Sequence, residues 1–241
     1  MPWAGGRDRC SRGCRSPCSQ PWRGCRSRGR LAGIRGVEEA PEDVSHTLPW
    51  ASATAWLVAA YLTVQSWQFY SALAWLAPTY ESHGWTAREA GLLMAAFTGA
   101  QLVSGLAAPT LLDRVPDPRV LIVLAGLLGG GGELGVWLAP DAAPWLWAAL
   151  LGAGQGAAFA LGLALLVRYA ATPRDSARLT AMVFLVSYTI AALGPATMGV
   201  VEDVTGSFSL IWALLALVMV PQVALSLRLR PDRAPVGTRR D

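Results

Sequence analysis

The chain has 241 residues, of which 53% are hydrophobic and only 15% charged, against about 25% charged in an ordinary soluble domain. Its +4 formal charge and pI near 9.2 would suit a soluble nucleic-acid binder. The arginines, however, fall in tails and turns around long apolar blocks, a pattern that excludes that class and belongs to membrane topology. Lysine is absent, so all 20 basic residues are arginine, and asparagine is absent too. This is a compositional bias with no functional content.

Residues 1–47 have no hydrophobic period and are rich in Arg, Gly, Ser and Cys. They cannot bury enough apolar surface to offset chain entropy, so a disordered tail is expected. Two readings stand for it: a basic cytoplasmic tail touching anionic lipid, or translation outside a natural reading frame. No apolar core follows its arginines directly, so it is not a signal peptide. All four cysteines, Cys10, Cys14, Cys18 and Cys25, lie here, without the C-x2-C pairs and nearby His of zinc sites. No metal or cofactor is expected.

Six apolar blocks then follow, at roughly 51–78, 88–112, 119–139, 144–169, 178–201 and 208–228. Each is long enough to cross a bilayer as a helix. Short connections predict an up-down bundle over 48–230, followed by a tail at 231–241. The turn after the second block, GLAAPTLLDRVPDPR (105–119), sets Asp113, Arg114, Asp117 and Arg119 between Pro116 and Pro118. An acid and an arginine at a helix end can hold such a junction by charge and hydrogen bonds.

Arginine placement orients the bundle. The N-terminal tail carries nine, the 113–119 turn two, the 168–178 loop three and the C-terminal tail five, whereas the opposite ends carry Arg88 alone. Both termini are therefore expected in the cytoplasm, in a cell inner membrane or plasma membrane.

Small residues crowd several blocks, and pairs such as Gly152/Gly156 allow helix backbones to approach closely. The four glycines at 129–132 weaken the third helix and allow a bend, and Pro109, Pro195 and Pro221 are candidate kinks. Polar residues within spans are more informative, because lipid solvates them poorly. Tyr61, Gln65 and Gln68 fall on one face of the first helix, as do Thr98, Gln101 and Gly105 in the second. Gln155 lies in the fourth, and Thr180, Ser187 and Tyr188 in the fifth. These stripes suit a water-accessible cavity or hydrogen bonds between helices. Glu133 is the carboxylate well inside a span. It is a candidate proton carrier, or it reaches the outer interface or a vestibule. No metalloprotease, phosphate-loop or Ser/His/Asp pattern is present, so no catalytic residue is assigned and an enzyme is not expected.

At this point several stretches resemble the major facilitator superfamily. The 109–119 segment is similar to its cytoplasmic loop between the eighth and ninth helices, with Asp113 and Arg114 matching an Asp-Arg pair. The family often places Gly and a basic pair soon after, whereas here VPDPR delays the next base to Arg119. VQSWQFYSALAWLAP (64–78) and HGWTAREAGLL (83–93) resemble the seventh helix and outer loop of cyanate and nitroimidazole transporter-like members. Residues 152–182 resemble their tenth helix, and 188–208, with Gly194-Pro195, their eleventh.

The resemblance implies an all-α membrane protein, with six transmembrane helices forming the C-terminal half of such a fold. It implies alternating-access transport of a small polar or anionic solute. Together with the polar residues read from the spans, Gln65, Gln68, Tyr70, Gln101, Gln155 and Tyr188 would line the pathway and Glu133 would serve proton coupling, while the matching loop implies that Asp113 and Arg114, with Arg119, gate it. The implied partners are the solute, the lipid bilayer and a separate N-terminal six-helix half or a second copy; nucleic acid is not among them. The alternative is a non-transporting truncated protein or accessory subunit.

Overall fold

The computed structural model describes residues 48–112, 114–230 and 236. The expected tail at 1–47, Asp113 and most of the 231–241 tail lie outside the described residues. Helix starts follow local capping chemistry. Helix α1, Ala53–Ser82, opens on Ser52, whose hydroxyl accepts from the Ala55 amide. Helix α2, Ala87–Leu112, opens on a reciprocal box in which the Thr86 amide donates to Glu89 and the Glu89 amide to Thr86. Asp117 caps α3, Pro118–Leu138, with Pro118 in the first turn where no amide hydrogen is needed.

Helix α4 spans Pro144–Arg168 and α5 spans Pro173–Ala191. The fifth apolar block begins at 178, but Thr172 accepts from the Asp175 amide and starts α5 a turn and a half earlier. Helix α6, Leu193–Thr205, continues the same rod after a break at Ala192. Pro195 explains the break, because it has no amide hydrogen to offer the Ala191 carbonyl. Gly206 closes α6 with a left-handed φ of 64°, and α7 runs Phe208–Arg228.

Five rods, with α5 and α6 counted as one, are long and apolar enough to cross a membrane. Helix α1 is 30 residues long, about 45 Å at 1.5 Å per residue. Its buried Gln65, Ser66, Gln68 and Ser71 keep its hydropathy below that of the five rods. Helix α3 passes unbroken through Gly129–Gly132. Two of those glycines serve contact: a side chain at Gly132 would meet the Leu151 backbone, and one at Gly130 would meet Met219. Across α4, side chains at Gly152 and Gly156 would run into the carbonyls of Phe97 and Gln101 on α2. Gly154 sits as closely on Gly129 of α3. Helix α4 thus packs backbone to backbone on both neighbours, as close small-residue packing in lipid requires.

The two ends differ in chemistry. At one, Tyr169 donates to the Arg230 carbonyl, and Ala170 forms a bridge with Val236. At the other, Tyr80 donates to the Pro140 carbonyl, and His83 lies 3.2 Å from Asp141. Large apolar residues such as Leu102, Val103 and Leu106 on α2, and Val200 and Val204 on α6, are exposed. Lipid, or a further apolar protein surface, is the medium that suits such a face.

Candidate functional site

Helix α1 organises the interior. Residues three apart on a helix are about 60° apart around its axis, and residues two apart about 160°. Gln65 is thus about 60° from Gln68 and about 140° from Tyr70, so the packing of the neighbouring helices, and not spacing, sets Gln65 and Tyr70 on one flank of α1 and Gln68 on the other.

On the first flank lies a cavity of about 130 Å³. Its walls are Gln65, Ser66, Phe69 and Tyr70 from α1, Gln101 from α2, Phe159 from α4 and Tyr188 from α5. The rings of Tyr70 and Tyr188 meet edge-on at 6.1 Å, Phe69 and Tyr70 at 5.1 Å, and Phe184 and Tyr188 at 5.2 Å. Spacings of this kind are favourable for aromatic pairs. The Gln65 amide donates to the Gln155 carbonyl and side-chain oxygen at 3.3 and 3.2 Å, and Ser66 donates to the Gln65 side-chain oxygen. Gln155 stands one shell behind the wall, and its Nε2 is buried without a partner among the described residues.

On the other flank Gln68 and Glu133 are both fully buried. The Gln68 amide lies 3.4 Å from each Glu133 oxygen and 3.2 Å from the Leu215 carbonyl on α7. The contacts to the carboxylate are long for hydrogen bonds. The Tyr61 hydroxyl donates to the Ala158 carbonyl, and Gln222 of α7 is buried as well. The side-chain oxygens of Gln68 and Gln222 have no partner among the described residues. Glu133 is fully buried where α1, α3 and α7 meet.

The predicted residues thus divide. Gln65, Tyr70, Gln101 and Tyr188 share the cavity. Gln155 backs it, and Gln68 belongs with Glu133. The polar residues of the stripes line a cavity at some positions and make interhelical hydrogen bonds at others. Ser187 is an example of the second, accepting from Thr63 and donating to the Ala59 carbonyl. Thr98 is exposed and, among the described residues, bonds only its own helix. Phe69 and Phe159 line the cavity unforeseen, because an apolar ring in an apolar span carries no mark. Gln222 is a polar residue within a span and could have been found by the rule that picked out Gln155.

In the turn before α3, Arg119 grips Asp117 bidentately, with Nε at 3.0 and 2.9 Å from the two carboxylate oxygens and a terminal nitrogen at 2.6 Å. The Arg119 backbone amide also donates to Asp117 at 2.9 Å. The side-chain bonds from Arg119, then its backbone amide, hold the Asp117 carboxyl below the ordinary carboxylate range. Arg114 is exposed, and Asp113 lies outside the described residues.

The family profile described as Major Facilitator Superfamily matches residues 51–240. A 2-nitroimidazole transporter of Escherichia coli is 33% identical over 160 residues, covering 66% of this chain and 40% of the relative. The cyanate transport protein CynX of the same organism is 34% identical over 182 residues, covering 75% and 47%. The chain therefore spans less than half the length of these curated relatives. A crystal structure of the peptide transporter POT with sulfate superposes with a TM-score of 0.66 at 18% identity, over 76% of this chain and 39% of that one. At that identity the likeness shows the fold alone.

Proposed function

The chain belongs to the major facilitator superfamily and is a multi-pass membrane protein, and on that premise we propose that it is the C-terminal half of a secondary transporter. It moves a small polar or anionic solute by alternating access, with its substrate surface on the α1–α2–α4–α5 flank. The observation that carries this reading is the convergence of Gln65, Tyr70, Gln101 and Tyr188, from three helices, on one cavity. Inverted or paired six-helix halves with a site between them are the general architecture for such carriers.

The opposing half is a separate or upstream six-helix unit, or a second copy, and it covers the exposed apolar face of α2. Gln155 fixes the Gln65 amide. Asp113, Arg114 and Arg119 form the gate at the arginine-rich end, where Asp117 already holds Arg119. That end and both termini face the cytoplasm, in the inner or plasma membrane. Glu133 carries a proton and is coupled to the cavity through α1, since its partner Gln68 is three residues from Gln65. The unit is a carrier and not an enzyme.

The test is solute uptake by cells expressing this chain joined to, or co-expressed with, an N-terminal half. Gln101→Ala and Asp113→Asn should each reduce uptake at least about tenfold, a loss of roughly 1.4 kcal/mol. Wild-type uptake in Gln101→Ala would remove the substrate assignment, and wild-type uptake in Asp113→Asn would remove the gate.

A further inference from the structure

Resting on the cavity reading above, we infer that this half selects an uncharged, planar solute carrying both a hydrogen-bond donor and an acceptor, such as a ring carboxamide, and rejects the corresponding anion. The first ground is charge. None of the residues around the cavity is ionised at neutral pH: they are two glutamines, a serine, two phenylalanines and two tyrosines. Among the described residues the acidic or basic side chain in the buried class is Glu133, whose carboxyl can supply no positive charge. An anion drawn out of water needs a cation or a cluster of donors to replace its hydration, and without one the cost is several kcal/mol.

A helix N-terminus is the other source of positive field. The α6 start at Leu193 lies inside the span, but Gly194 there packs on Trp67 and Ser71, and no α6 residue is part of the cavity wall. The break in the α5–α6 rod therefore supplies no anion site at this surface.

The second ground is shape. The rings of Phe69, Tyr70, Phe159 and Tyr188 supply flat apolar walls. A cavity of about 150 Å³ takes up benzene, so 130 Å³ admits about one small ring. Aromatic faces carry negative potential, which favours ring edges and amide hydrogens and disfavours a carboxylate.

The third ground is the polar inventory. The Gln65 amide nitrogen is engaged by Gln155, and its oxygen receives Ser66. Gln101 is half-buried at the cavity wall. Its side-chain amide presents one acceptor and two donor hydrogens side by side. A carboxamide pairs with it in both directions, whereas a carboxylate can only accept.

Benzamide and benzoate have the same ring and nearly the same size, so they isolate the charge. Equilibrium dialysis of each labelled compound against the 241-residue chain in lipid nanodiscs should show benzamide bound at least about tenfold more tightly. Gln101→Ala should weaken benzamide at least about fivefold, and Gln101→Arg should reverse the order in favour of benzoate. Equal or tighter benzoate binding by the wild type overturns the inference, and so does binding of neither. The wild-type ratio needs no variant, so misfolding of a mutant cannot obscure it. The transport reading fails on different evidence: benzamide bound with the stated preference, but uptake by the paired protein unaffected by Gln101→Ala.

Discussion

The two flanks of α1 use the same residue type for opposite ends. Gln65 turns toward an aromatic cavity together with Gln101, and its amide is fixed from behind by Gln155. Gln68, three residues on, is sealed against Glu133 and the Leu215 carbonyl, with its own oxygen unpartnered. A glutamine in a span is therefore not one signal. At the half-buried Gln101 it costs little to change and matters to a ligand, whereas Gln65 is held in a buried hydrogen-bonded set. In the sealed nest it is the donor to a buried carboxylate, and its loss falls on the fold.

The strongest way to break this comparison is to pry apart the helices that define both flanks. Gly152→Leu drives a side chain into the Phe97 carbonyl on α2, a backbone that cannot move out of the way as a flexible side chain would. Loss of about 3 kcal/mol is expected, seen as disappearance of the monodisperse peak in detergent chromatography. A melting temperature within a degree or two of wild type would mean that α4 does not pack on α2 as described.

Next in size is Gln68→Leu, which leaves Glu133 buried without its amide donor. It should destabilise by about 1–3 kcal/mol in denaturant titrations in detergent. The double variant Gln68→Leu/Glu133→Leu should recover much of that loss, because removing both partners leaves nothing unsatisfied. Additive losses in the double variant would show that the two residues are not coupled.

Glu133→Gln is milder. It preserves shape and hydrogen bonding, so the fold should persist, while uptake by the paired protein should lose its dependence on a proton gradient. Gradient-dependent uptake retained in full would take Glu133 out of the coupling.

The smallest effect on the fold belongs to the cavity and to the surface turn. Gln101→Ala should change stability by no more than about 0.5 kcal/mol even while it weakens ligand binding. The Asp117 carboxyl titrates lower in the folded chain than in the unfolded one, so its pairing with Arg119 contributes at every pH above the ordinary carboxylate range. That contribution is lost as pH falls through its lowered value. Asp117→Ala should therefore lower the melting temperature slightly at neutral pH, where the pairing contributes, and leave it unchanged once the carboxyl is protonated, so that the acid limb of the profile flattens. An unchanged acid limb would mean that solvent screens the pair completely.

Much of the fold is legible in the sequence, because the lengths of the apolar blocks and the prolines between them are strong physical constraints. Pro195 marks the break at Ala192, and Pro118 and Pro173 mark helix starts. The stretch before residue 178 was hidden, since its start depends on Thr172 capping Asp175 and not on hydrophobicity. The cavity was half legible. Polar residues in a span stand out, so Gln65, Gln101 and Tyr188 were visible, but helical spacing alone cannot say which neighbour each will face. Gln65 and Gln68 share a stripe by spacing, and the packing of α3 and α7 against α1 separates them. Phe69 and Phe159 had no signal. The glycines at 129–132 read as weakness, whereas at Gly130 and Gly132 the space is taken by Met219 and Leu151.

The central claim is that one flank of α1 is open to a solute and the other closed. It can be tested by cysteine accessibility in a chain whose Cys10, Cys14, Cys18 and Cys25 are replaced by serine. A small charged thiosulfonate applied to that chain in nanodiscs should label Gln101→Cys and Tyr70→Cys readily, and Gln68→Cys at least about a hundredfold more slowly, the rate set by rare opening of the packed core. Equal labelling of Gln68→Cys and Gln101→Cys in folded protein would contradict the account.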